Sequence, residues 1–192
     1  MSALPRPAMT LADFLAWEEQ QPERHEFVDG EVFAMVGASL VHGLIAGNLY
    51  SILRQRLPKH CLVFQEGAKV CTASASFYPD VVVRCDPLRR GERLIERPTL
   101  LAEVLSPSTE PYDRGKKWAH YRDGFPSLQT YVLVSQAEAL VELYRRNPDG
   151  WQYSAHRGLS EAITLHQPPC SFTVAEVYER TLEYLGADGD PA

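Results

Sequence analysis

Tyr78-Pro79-Asp80-Val81-Val82-Val83 and Leu100-Leu101-Ala102-Glu103-Val104-Leu105 are the two stretches on which the reading of this chain turns. Each contains a short apolar run of the length of a buried strand, and each carries one carboxylate. Asp80 opens the first run directly after Pro79, and proline fits the first position of a strand. Glu103 interrupts the second run in its middle. An ionised carboxylate inside a buried strand is costly unless it is paired or binds a metal. Asp113 follows ten residues after Glu103, with Lys117 and Tyr121 at successive steps of four, so these three share one helical face. Blander readings exist for each: a strand-end turn for Asp80, an open sheet face for Glu103, a surface pair for Asp113 and Lys117.

The sharper reading is convergence on one hard cation. Mg²⁺ takes oxygen ligands and commonly only one or two protein carboxylates. Asp80, Glu103 and the backbone carbonyl of Val104 would suffice as metal ligands. Lys117 would orient the attacking water or neutralise charge on phosphoryl oxygens. This set suits metal-assisted hydrolysis of a phosphodiester. His42 shares a face with Ile45, Leu49 and Ile52, which fits a core-edge histidine, yet its place near a helix start could bring it to the site as an auxiliary group. Glu26, Asp29 and Glu31 cluster on one hairpin, and Glu31 is the preferred auxiliary carboxylate because it leads an apolar strand toward the main helix. Asp113 and Tyr121 are the remaining auxiliary candidates. Ser106, Ser108 and Thr109 follow a strand, but no Gly-x-Ser-x-Gly elbow, P-loop or Rossmann fingerprint is present.

Outward from the two runs, Thr10 and Asp13 form a capping box for a helix ending before Pro22. Asp29-Gly30 between strand-like runs signals a tight hairpin. Residues 40–57 are periodic as a helix, stopped by Pro58. Residues 61–65 and 69–72 read as strands, 73–77 as a loop, 86–98 as a charged connection, and 110–123 as a helix closed by Gly124. Residues 130–134 form a third core strand. A hairpin turns at Asn147-Pro148-Asp149-Gly150, and a last helix spans 174–185. The expectation is one mixed α+β (α/β) domain over residues 10–185, a central sheet flanked by helices with hairpins at its edges. Residues 1–9 are expected as a flexible arm and 186–192 as a disordered tail.

A chain of 192 residues suffices for one cored domain. Net charge is −6, which argues against a protein that coats nucleic acid non-specifically, though not against a nuclease with local basic groups. Arg84, Arg89, Arg90, Arg93 and Arg97, and then Arg114, Lys116 and Lys117, are expected to flank the site. No run of eighteen apolar residues spans a membrane, the first nine residues lack a signal-peptide core, and the cytoplasm is expected. Cys61, Cys71, Cys85 and Cys170 match no zinc spacing and are expected as buried free thiols.

Glu26-x-Val-Asp-Gly-Glu31, His42 on a helix, Pro79-Asp80-Val-Val-Val, Glu103-Val-Leu-Ser-Pro-Ser-Thr109 and Asp113-Arg-x-x-Lys117-x-x-x-Tyr121 together resemble the Uma-two family of bacterial, notably cyanobacterial, restriction-endonuclease-like proteins. The likeness runs over residues 10–143. It implies the PD-(D/E)XK nuclease fold, with Asp80 and Glu103 as metal-binding carboxylates, Mg²⁺ or Mn²⁺ as cofactor and DNA as substrate. The superfamily pattern places a lysine two residues after the Glu; here that position is Leu105, and Lys117 is the substitute. Where the family often carries an Asp after the third core strand, this chain has Ser135-Gln136. Two functions stay open: a metal-dependent DNA endonuclease, expected as a homodimer, or a catalytically inactive module of the same fold that binds DNA or protein.

Overall fold

In the computed structural model, which describes residues 9–35 and 37–186, the two apolar runs are neighbouring strands at the centre of a sheet. In chain order the elements are α1 (Leu11–Glu18), β1 (His25–Val28), β2 (Glu31–Ala34), α2 (Leu40–Arg56), β3 (Leu62–Gln65), β4 (Val70–Cys71), β5 (Ala75–Phe77), β6 (Val81–Arg84) and β7 (Leu100–Leu105). Then α3 (Glu110–Tyr112), a π-helical turn (Asp113–Lys117) and α4 (Trp118–Gly124) follow each other without a break. The remainder is β8 (Thr130–Ser135), β9 (Val141–Asn147), β10 (Gly150–His156), β11 (Ala162–His166), β12 (Pro169–Thr173), a single turn α5 (Val174–Val177) and a 3₁₀ turn at Leu182–Tyr184.

The six-stranded sheet runs β10-β9-β8-β7-β6-β3. Among the described strands of this sheet only β7 and β8 pair in parallel, joined by the helical crossover over residues 110–124. A second sheet, β2-β1-β5-β4, has four strands, and β11 pairs with β12 alone. Side-chain alternation along β7 divides the core. Leu100, Ala102 and Val104 pack toward α2 and the β11–β12 hairpin, against Ile45, Leu49, Ile163 and Phe172. Leu101 and Leu105 pack on the opposite face, against Phe77, Tyr121, Phe125 and Tyr131. Glu103 has the same parity, so it points into that second, aromatic layer beneath the crossover helix.

Local rules hold where the residues state them. Thr10 and Asp13 cap α1 reciprocally. Asp29 (φ 51°) and Gly30 (φ 93°) turn the β1–β2 hairpin, a turn that needs residues tolerant of the left-handed region. Ser39 caps α2 by accepting from the His42 N–H at 3.1 Å.

Four expectations are corrected. Ala75–Phe77 is a strand, not part of a loop, because it pairs with both β1 and β4 and buries Ala75 and Phe77 completely. The last helix is one turn only. Its capping box, Thr173 with Glu176, is present, but Tyr178 turns inward to donate to the carbonyls of Ser135 and Leu140, and Arg180 adopts φ 58°. The β11–β12 hairpin was not anticipated, although Ile163, Leu165, Cys170 and Phe172 alternate as a strand pair should. Gln167-Pro168 is cis. Finally, Cys61 and Cys85 are a disulfide, while Cys71 and Cys170 are free and buried. Spacing along the chain does not show that pairing Leu62 with Arg84 sets Cys61 opposite Cys85. Of the expected arm and tail, residues 1–8 and 187–192 lie outside the described residues, while the Gly186 N–H donates to the Gln136 carbonyl at 2.9 Å.

The cross-link closes a loop 24 residues long, worth about 3 kcal/mol in the chain-entropy account. Cys85→Ser is therefore expected to lower the Tm of the oxidised protein by roughly 6–12 °C. Scanning calorimetry with and without reductant, in metal-free buffer, checks it: the deficit should vanish when both proteins are reduced.

Candidate active site

Pairing of Val81 with Ala102 sets Asp80, one residue before β6, beside Glu103 and Val104. The Val104 N–H donates to Asp80 Oδ2 at 2.7 Å, and His42 Nε2 lies 2.9 Å from Asp80 Oδ1. His42 comes from the first turn of α2, so one carboxylate joins helix, strand end and strand interior. Gln136 braces the same corner: its Nε2 donates to the Leu105 carbonyl and its Oε1 accepts from the Ser39 hydroxyl, each at 2.8 Å. Ser135 Oγ accepts from the Ala137 and Glu138 N–H groups, so this serine serves the turn after β8.

Glu103 Oε1 accepts from the Tyr121 hydroxyl at 2.7 Å and from Lys117 Nζ at 2.9 Å. Lys117 Nζ also lies 3.2 Å from Glu26 Oε1 and 3.5 Å from Asp113 Oδ1. Lys117, Glu103, Glu26 and Asp113 are all at most 5% exposed. The π-helical turn spans Asp113 to Lys117, and such turns recur at functional sites. Leu105, where the resemblance leads one to expect a lysine, is buried in the same aromatic layer. The cation thus reaches Glu103 from the crossover helix instead of from its own strand.

Burial raises the pKa of Glu103 well above the ordinary range, against the pull of Lys117 and with added repulsion from Asp80, Asp113 and Glu26. Burial likewise raises Glu26 and Asp113. For Lys117, burial works toward the neutral amine, but Glu103, Glu26 and Asp113 together outweigh it and hold the lysine well above its usual value. Burial also opposes the charged form of His42, and the hydrogen bond and charge of Asp80 overcome it, so its pKa rises. Low dielectric makes each of these interactions count. Four carboxyl groups gather round one lysine and one histidine, so oxygen donors outnumber the cations at this centre.

Hard oxygen donors in such an excess fit Mg²⁺ or Mn²⁺. Glu26 Oε2 and the Tyr112 hydroxyl are buried with no hydrogen-bond partner among the described residues, although buried polar groups are ordinarily satisfied. Each Asp80 oxygen accepts one hydrogen bond and keeps a further lone pair. The carboxylates do not form a closed cage. Among the described residues, the three His, Cys, Asp or Glu ligand atoms lying within 4.8 Å of one another belong instead to His60, Cys61 and Cys85. Two carboxylates with waters, the usual manner of Mg²⁺, is what this centre can serve.

Glu31 is corrected: it is exposed at the start of β2, and Glu26 on β1 provides the hairpin's carboxylate. The sign was legible, since Glu26 interrupts a buried strand just as Glu103 does. Asp29 is exposed at the hairpin tip, 3.1 Å from His120 Nε2. The arginines from Arg84 to Arg97 are also corrected. Arg84 ends β6 where Asp80 precedes it, and it pairs with Asp86 and Glu92 at the far end of the strand. Arg114 pairs with Glu110 and Glu142, and Lys116 is exposed.

Tyr121→Phe should keep the packing and remove one hydrogen bond to a buried carboxylate, costing roughly 1–3 kcal/mol. Urea denaturation checks this, with an unchanged m-value expected.

Among the described residues no helix is long and apolar enough to cross a membrane. The chain is 37% identical over 178 residues to "Uncharacterized protein slr1290" of Synechocystis sp. (strain ATCC 27184 / PCC 6803 / Kazusa), covering 91% of this chain and 93% of that protein. It is 33% identical over 147 residues to "Uncharacterized protein sll1609" of the same organism, covering 73% and 82%. Its fold matches the crystal structure of "a putative nuclease belonging to DUF820" from Anabaena variabilis ATCC 29413, with a TM-score of 0.69 over 91% of this chain and 99% of that one, at 18% identity. The two chains therefore share their fold, a mixed α+β architecture of sheets flanked by helices. A family profile described as "Uma2: Putative restriction endonuclease" matches residues 11–175. Those residues span both strands of the site, the crossover helix and the β1 hairpin, and the chain belongs to the Uma2 family.

Proposed function

We propose that this chain is a divalent-metal-dependent endonuclease that hydrolyses phosphodiester bonds of DNA. Asp80 and Glu103, with the Val104 carbonyl, hold the ion, and Lys117 is the catalytic cation. The observation that carries this reading is Lys117 Nζ, buried and 2.9 Å from Glu103 within a surplus of carboxylates. When bound, Mg²⁺ or Mn²⁺ would polarise the phosphoryl group and make a nucleophilic water available near neutral pH.

The chain's own residues do the rest. Lys117, kept protonated by Glu103, Glu26 and Asp113, acts as a fixed positive charge and not as a base. It stabilises the charge that grows on the phosphoryl oxygens as water adds to phosphorus and the bond to the leaving oxygen breaks. Tyr121 fixes the rotamer of Glu103, and His42 with the Val104 N–H fixes that of Asp80. Cutting both strands of a duplex calls for two such centres, which makes a homodimer the working unit of this proposal.

A second reading, a non-catalytic DNA- or protein-binding module, is favoured by Leu105 at the superfamily lysine position and by the net charge of −6. Incubation of supercoiled plasmid with wild type and Asp80→Asn, each with Mn²⁺ or with chelator, separates the two. The nuclease reading expects nicking by the wild type with metal only. Absence of any nicking, alongside retained DNA binding, would establish the second reading.

A further inference from the structure

His60 and Cys61 lie in the short connection between α2 and β3, and Cys85 follows β6 directly. Imidazole nitrogen and both sulfurs lie within 4.8 Å of one another. His60 is exposed, Cys61 buried and Cys85 half-buried, so the cluster opens to solvent on one side. It sits at the opposite end of β6 from Asp80 and shares no residue with the carboxylate centre.

The oxidised pair is a poor ligand, because metals bind thiolates and not disulfide sulfur. The reduced pair is different. Zinc bonds of about 2.3 Å to sulfur and 2.1 Å to nitrogen separate ligand atoms by ~3.5–3.8 Å at a tetrahedral angle. Once the bond is open, rotation about the Cα–Cβ bonds of Cys61 and Cys85 is the movement that would part the sulfurs to that distance. Two soft thiolates with one imidazole select zinc over magnesium.

We propose that opening the Cys61–Cys85 disulfide creates a zinc site of His60, Cys61 and Cys85, with solvent in the fourth position. A dithiol reductant supplies the electrons: it becomes a disulfide as Cys61 and Cys85 become two thiols. Zinc then replaces one proton on each thiol, and two protons leave to solvent. The seam between edge strand β3 and β6 is thereby cross-linked in both redox states, covalently when oxidised and through the ion when reduced.

The test is cobalt(II) titration of the full chain, followed by displacement with zinc. Reduced wild type should bind one cobalt ion with a thiolate-to-cobalt charge-transfer band, which zinc abolishes. Oxidised wild type should show no such band. His60→Ala should weaken binding by at least ~10-fold, the loss that even an outer-shell partner can cost. Cys85→Ser should lose at least half of the band's intensity and bind cobalt more weakly, although Cys61, Cys71 and Cys170 remain. The band reports sulfur ligation only, so cobalt held by Asp80 and Glu103 does not contribute to it. Failure of the reduced wild type to develop the band overturns the proposal, as does a band of undiminished affinity in His60→Ala.

Discussion

Lys117→Met is expected to lower Tm by roughly 6–20 °C at pH 8 and to abolish DNA cleavage. The side chain keeps an unbranched apolar stem, with sulfur in place of one methylene, and loses the ammonium. Glu103, Glu26 and Asp113 then lie buried without their shared cation. Removing one partner of a buried ion pair costs roughly 3–5 kcal/mol, and a domain of this size loses about 2–4 °C per kcal/mol. The pH dependence has a definite sign. Burial already raises Glu103 above its ordinary 4.5 and raises Glu26 and Asp113 in the same sense. Above the unfolded value the folded chain therefore binds more protons than the unfolded one, and stability falls as pH rises through the folded pKa. Without Lys117 that fall should steepen. The variant should melt closest to wild type near pH 5 and furthest below it near pH 8. Calorimetry across that range checks it, and a deficit independent of pH would show that packing, not charge, had been lost.

Glu103→Gln should separate stability from function. The carboxamide keeps the shape and can still accept from Tyr121 and Lys117, while the desolvated charge is gone. Lys117 still has Glu26 and Asp113 as partners, so no buried charge is left unpaired, and removing a carboxylate whose burial opposes its charge should let Tm hold or rise. Activity should fall by roughly 10²–10³-fold, the scale of losing one preorganised electrostatic contact in a site of this kind. A plasmid-nicking time course beside a melting curve reads both quantities. A variant as active as wild type would remove Glu103 from the chemistry.

Much of this centre was legible before any coordinates, and the reason is energetic. Carboxylates inside apolar strands stand out because burial must be compensated, and Glu103 was found on that ground. The same test applied to Glu26 would have preferred it over Glu31. Hairpin position drew attention to the residue leading into the main helix, but β1 is the inner strand of its sheet and β2 its edge. The step of four from Asp113 to Lys117 and Tyr121 indicated a shared helical face. It could not indicate the π-helical turn, which depends on how the crossover helix meets β7 and β8. Contacts distant in sequence were invisible for the same reason. The Cys61–Cys85 bond follows from strand register, and the short final helix from the burial of Tyr178 against the turn after β8. The misplaced arginine cluster shows the limit of adjacency: Arg84 is four residues from Asp80 and at the other end of the strand.

The central claim is that Asp80 and Glu103 hold a divalent ion. Its most direct test is the melting temperature of wild type and Asp80→Asn with Mn²⁺ and with chelator. Saturation at a hundred times Kd stabilises a folded protein by about 2.7 kcal/mol. Wild type should therefore melt roughly 5–10 °C higher with Mn²⁺, and Asp80→Asn should not respond. Equal shifts in both proteins, or none in wild type at millimolar Mn²⁺, would contradict the account.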